Sequence, residues 1–84
     1  MSQDILVEVF VPALSKSYDL VLSKELKVGE ILDLLGPIIS ELNHGHFLSS
    51  DQTVLCNRET GQVQDVNATV TSLNYRNGEK LMLV

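Results

Sequence analysis

Tryptophan is absent from this 84-residue chain, and only two Phe and two Tyr are present. The core must therefore be assembled from Val, Leu and Ile. Cysteine occurs once, at Cys56, so an internal disulfide is excluded. A lone cysteine fits a reducing compartment. Cations are few, six Lys and Arg against eleven Asp and Glu, for a formal charge of −5. Lys16, Lys24, Lys27, Arg58, Arg76 and Lys80 are scattered along the chain. Nucleic-acid binding needs clustered cations that displace counterions from phosphates, and none is expected here. Anionic membrane surfaces are disfavoured for the same reason. No apolar run approaches the roughly 20 residues that span a bilayer, so no direct membrane insertion is expected. Met1 to Asp4 also lacks the basic start of a secretory signal. Linkers, internal repeats and low-complexity tracts are missing too, so residues 1–84 read as a single domain.

What is present is patterned. Ile5 to Val11 is rich in β-branched residues, with Ile5, Val7, Val9 and Val11 on one face and Leu6, Glu8 and Phe10 on the other. Pro12 ends that strand because it has no N–H to donate. Lys16 to Leu22 alternates as a second strand with Tyr18, Leu20 and Leu22 inward, and the short connection predicts a hairpin. The period then changes. Val28, Ile31, Leu35, Ile38 and Leu42 recur at three- and four-residue steps, with Leu32 and Ile39 widening the stripe. This is an amphipathic helix. Lys27 is a poor N-cap, and Gly36-Pro37 predicts a kink, or a stop followed by a second short piece. Asn43 to Gln52 reads as loop. Thr53 to Cys56 reads as a third strand, and Gln62 to Gln64 as a very short fourth. Asn77-Gly78 predicts a tight turn with both residues at positive φ. The strand from Lys80 to Val84 is too apolar for an edge, and is expected at the centre of the sheet.

Hairpin, helix, strand, short strand, turn, strand is an α+β order. One helix across a mixed sheet of four to five strands buries all these faces, with the first and last strands as parallel neighbours. The chain resembles ubiquitin-like, β-grasp proteins over nearly its whole length. Val70, Leu73, Tyr75, Leu81 and Leu83 stand where that fold needs apolar residues. Within that superfamily it is most similar to the YukD-like ubiquitin-like proteins of bacterial type VII secretion systems, through Tyr18-Asp19-Leu20 and Gly78-Glu79 followed by an apolar strand. The resemblance implies a cytoplasmic accessory factor that binds protein partners non-covalently and supports secretion of small helical-hairpin substrates. A ubiquitin-type modifier or sulfur carrier needs a free Gly-Gly tail. The sequence ends at Val84 in an apolar strand, so conjugation is not expected.

Reactive constellations are sparse. His44-Gly45-His46 could flank an ion, with Glu41 or Asp51 nearby. Zinc wants three or four ligands in fixed geometry, and two solvated loop histidines are the plainer reading. Cys56 lacks a neighbouring base and reads as a small buried hydrophobe. Glu30 and Asp33 share an exposed helix side rather than a concave site. Ser15-Lys16 and Ser23-Lys24 fall in turns. No catalytic residue, metal or cofactor is assigned, and the chain is not read as an enzyme.

The functional signal is a surface. If Ile5, Val7, Val9, Leu81 and Leu83 face the helix, then Leu6, Phe10, Leu55, Met82 and Val84 face the open side of the sheet. Rimmed by Glu8 and Lys80, they form the candidate protein-binding patch. The Asn43–Gln52 loop or a second copy of the chain, as a homodimer, is the alternative cover for it.

Overall fold

A computed structural model describes residues 4–44 and 53–84 of the chain. Strand β1 (Asp4–Val11) alternates as its sequence requires, with Ile5, Val7, Val9 and Val11 buried. Pro12 turns the chain into a single 3-10 turn, Pro12–Leu14, closed by Ser15 at φ 53. Strand β2 (Lys16–Ser23) returns antiparallel, pairing Val11 with Lys16 and Ile5 with Leu22. Helix α1 (Val28–Leu42) follows, then β3 (Leu55–Asn57) and β4 (Glu79–Leu83). The sheet order is β2-β1-β4-β3. β4 therefore lies at the centre, parallel to β1 with Val9 opposite Leu81, and antiparallel to β3. Val28, Ile31, Leu35 and Ile39 of α1 share one buried cluster with Val7, Val9, Leu55, Leu81 and Leu83. The α+β ubiquitin-like architecture is as the sequence predicts.

Lys27 is indeed the residue before the helix, and its side chain has no acceptor to offer. The start is secured otherwise. The Glu30 carboxylate accepts the Lys27 N–H at 3.0 Å. The next two amides, of Val28 and Gly29, donate to the carbonyls of Ala68 and Val66, each at 2.9 Å. The donors that every helix start leaves unpaired are thus met by a distant loop. A Cβ on Gly29 would sit 3.3 Å from the Val66 carbonyl, so glycine permits this close approach.

Three local expectations change. The helix does not stop at Gly36-Pro37 but runs on to Leu42 with Pro37 inside it. Leu35, Gly36 and Ile39 are buried on the sheet while Pro37 is exposed, so packing of the inner face overrides the proline. Next, β3 is shorter and later than Thr53–Cys56, and Gln62–Gln64 contributes only a bridge between Val63 and Cys56. Finally, Gly78 alone takes a positive φ (87°) in the Asn77-Gly78 turn. The Glu79 N–H donates to the Arg76 carbonyl at 3.0 Å, the pattern of a type II turn. This turn leads into a strand that pairs in parallel, so hairpin geometry does not apply. Asn77 Oδ1 accepts the Leu6 N–H at 2.8 Å, and the Gly78 N–H donates to the Leu6 carbonyl at 2.8 Å. The turn thereby continues the β1 ladder.

Buried Asn43 ties the helix end to β2. Its Nδ2 donates to the Tyr18 hydroxyl and the Ile39 carbonyl, and its Oδ1 accepts from Lys16 Nζ, all at 2.8 Å. No described helix is long and apolar enough to cross a membrane.

Candidate functional site

The alternation of the strands decides which side chains the helix leaves uncovered. On β1 they are Leu6, Glu8 and Phe10. The register places Phe10 opposite Met82, Met82 opposite Cys56, Glu8 opposite Lys80, and Leu6 opposite Val21. Val84 lies just past β4 and exchanges two hydrogen bonds with Val54, at 2.7 and 3.0 Å. Of the expected patch, Leu6 (45% exposed) and Val84 (50%) are open to solvent, and Phe10 and Met82 are partly buried.

Leu55 is a correction. It pairs with Leu83, so it points to the helix side and is 0% exposed in the core. The open-face position on β3 belongs to Cys56, which is buried beside Met82. A one-residue shift of a strand moves every side chain to the opposite face, and that is the error made for β3.

Glu8 and Lys80 are not a rim either. Their row crosses the middle of the face. It separates Leu6 and Val21 (67% exposed) from the cluster of Phe10, Met82 and Val84. Glu8 stands directly opposite Asp19, a like-charge pairing that costs stability in a sheet. Arg58 offsets it, with its guanidinium Nη1 3.2 Å from Glu8 Oε1. The same guanidinium lies 4.5 Å above the Phe10 ring centroid. Both interactions are solvent-exposed and each contributes only about 0.5–1 kcal/mol. Their consequence is positional: Arg58 covers one side of Phe10. Sequence reasoning missed Arg58 and Val21. Val21 was implied by the alternation of β2, but Arg58 meets Phe10 only through tertiary pairing.

His44 is exposed just after α1 at φ 55, and His46 lies outside the described residues. Among the described residues, no group of three or more His, Cys, Asp and Glu could hold a metal ion. Tyr75 is buried, and its hydroxyl donates to Gln64 Oε1 at 2.7 Å. Burial, with a smaller contribution from the Glu79 carboxylate, pushes its phenol up to about 12. The unfolded chain loses this proton near 10, before the folded one does. Stability conferred by the neutral phenol is thus complete below pH 10 and declines between about 10 and 12. Tyr75→Phe should flatten that alkaline decline and cost about 1 kcal/mol at pH 7, where only the hydrogen bond is lost. Urea titrations at pH 7, 10 and 11 check both effects.

No family model matches the chain, and no curated protein matches it. Solved structures do. The EccD5 ubiquitin-like domain from Mycobacterium xenopi is 17% identical, with a TM-score of 0.79 over 98% of this chain and 93% of that one. The ubiquitin-like domain of the Mycobacterium tuberculosis type VII secretion system protein EccD1 is 16% identical, with a TM-score of 0.76 over 96% and 97% of the two chains. A chain of the MycP5-free ESX-5 inner membrane complex is 16% identical with a TM-score of 0.80 over 98% of this chain, which spans only 21% of its length. At these identities the likeness establishes the ubiquitin-like fold.

Proposed function

We propose that this chain is a small non-covalent protein-interaction module, serving as a cytoplasmic accessory or regulatory factor of a type VII secretion system. The open sheet face is its docking surface. The observation that carries this reading is the group of Leu6, Phe10, Met82 and Val84 on the side of the sheet that α1 does not cover. An apolar group crossed by a charged row suits a specific protein contact, with anchors and orienting charges on one surface. The likeness to the solved ubiquitin-like domains of EccD5 and of the type VII secretion system protein EccD1, and to a chain of the ESX-5 inner membrane complex, supports this reading. In this reading the chain binds its partners without being conjugated to them.

Leu6→Asp and Met82→Asp test the surface. Both side chains lie outside the core, so each variant should keep the wild-type circular dichroism spectrum. Each should reduce capture of secretion-machine components from lysate of the protein's own cells by at least about tenfold, as loss of a central anchor does. Folded variants that still capture every component would show that docking lies elsewhere. If the partner is instead a second copy, sedimentation will show a dimer that Met82→Asp dissociates.

A further inference from the structure

The turn that continues the β1 ladder is also the dipeptide of this chain most prone to deamidation. Asn77 is the only asparagine followed by glycine. Asn43, Asn57, Asn67 and Asn74 precede His44, Arg58, Ala68 and Tyr75, whose side chains crowd the following amide. Glycine offers no such hindrance. Its nitrogen can attack Cγ of Asn77, form an N–Cγ bond and expel Nδ2 as ammonia, which carries away the proton of the Gly78 N–H. Water then opens the succinimide at one of its two carbonyls. Opening at Cγ leaves aspartate. Opening at the main-chain carbonyl leaves isoaspartate, whose backbone runs through the former side chain. Water enters, ammonia leaves, and no further reactant is required.

The fold needs both residues of this pair. Gly78 stands at φ 87, in the left-handed region that a Cβ disfavours. Asn77 Oδ1 accepts the Leu6 N–H at 2.8 Å. The same contacts restrain the reaction. The nucleophile, the Gly78 N–H, donates to the Leu6 carbonyl at 2.8 Å. The electrophile, the Asn77 amide, is held through its Oδ1. One residue thus fixes both reacting groups. Leu6 stands just before Val7 and Glu79, the first pair of the β1–β4 ladder. Ladder ends open more readily than their centres. An opening here frees nucleophile and electrophile together, and Asn77 and Gly78 are both exposed, so water reaches them.

We propose that Asn77 is a modification site kept closed by the fold, which converts to isoaspartate when the start of β1 opens and then cannot re-form its contacts with Leu6. The two products act differently. Aspartate keeps a carboxylate oxygen where Oδ1 stood, and that oxygen still accepts the Leu6 N–H. Isoaspartate adds a methylene to the main chain between positions 77 and 78. The Gly78 N–H and the side-group acceptor then no longer meet Leu6 in register. Loosening follows at Ile5, the neighbouring core residue of β1. The chain thereby carries a permanent mark of time spent open. This inference does not depend on the docking role of the sheet face.

The test is peptide mapping by mass spectrometry after incubation at about pH 8, with the protein folded in buffer or unfolded in guanidinium chloride. Asn77 should deamidate at least about tenfold faster in the unfolded chain than in the folded one, because only open molecules react. In the unfolded chain it should also outpace Asn67. Leu6→Pro removes the N–H that Asn77 Oδ1 accepts and should raise the folded-state rate several-fold. Should that variant not fold, Ile5→Val loosens the same end of β1 and should raise the rate likewise. The isoaspartyl form, separated by chromatography and refolded, should show a lower urea midpoint and at least about tenfold faster exchange of the Leu6 and Gly78 amides. Asn77→Asp should keep both near wild type. Equal deamidation rates in the folded and unfolded chain overturn the proposal. So does an isoaspartyl form with the wild-type midpoint and exchange. Folded Leu6→Pro or Ile5→Val protein that reacts no faster than wild type would show that Leu6 does not hold the site closed.

Discussion

Leu81→Ala is expected to lower the unfolding free energy by about 3–4 kcal/mol, the middle of the range for a leucine deleted from a packed core. Leu81 is fully buried on the central strand, opposite Val9, within the cluster that includes Val7, Ile31 and Ile39. Both flanking strands are fixed by main-chain bonds, so the site has little room to collapse around the lost methyls. For a domain of this size, whose total stability is of order 5–10 kcal/mol, that is a large fraction. The melting midpoint should fall by roughly 15 °C. Leu55→Ala should behave alike, because Leu55 faces the same core. Met82→Ala, one residue along β4 on the opposite face, should cost less than about 1 kcal/mol. Chemical denaturation of the three variants reads the register directly. A costly Met82→Ala beside a mild Leu55→Ala would mean that β3 or β4 is turned the other way.

Pro37→Ala is expected to stabilise the chain by about 1–2 kcal/mol. Proline in the interior of α1 forfeits a hydrogen bond to the carbonyl four residues earlier and crowds that carbonyl, an unfavourable effect of about 3 kcal/mol relative to alanine. Part of that gain is offset because alanine gives the unfolded chain more conformations, worth roughly 1 kcal/mol. Pro37 is exposed, so no core contact is lost with it. A raised urea midpoint with unchanged slope supports a continuous helix. An unchanged or lowered midpoint would indicate that the proline is matched to a local break.

Periodicity made most of the fold legible. Two-residue alternation in β1 and β2 placed their inward faces without tertiary information, whereas the α1 stripe found Val28, Ile31 and Leu35 but also took in Ile38 (47% exposed) and Leu42 (59%), the buried face being completed by Ile39 instead. The apolar character of residues 81–84 located β4 at the centre. β3 was harder. Three residues offer too little alternation to set a face, and the sequence by itself does not say that Leu55 faces the helix. The Leu55–Leu83 register supplied what was missing. The helix start was illegible for a different reason. Its caps come from Val66 and Ala68, nearly forty residues away in sequence. Of the two outcomes that Gly36-Pro37 predicts, a kink or a stop, the stop does not occur, because Leu35 and Ile39 hold the helix on its buried face through Leu42. On the candidate site, Leu6, Phe10, Met82 and Val84 followed from alternation. Arg58 did not, because only the folded sheet brings its guanidinium over Phe10.

The most direct test of the docking face is NMR mapping of the protein with a secretion-machine component bound. Perturbed signals at Leu6, Phe10, Met82 and Val84, with the core leucines unmoved, are the predicted result. A bound partner that leaves all four unperturbed would contradict it.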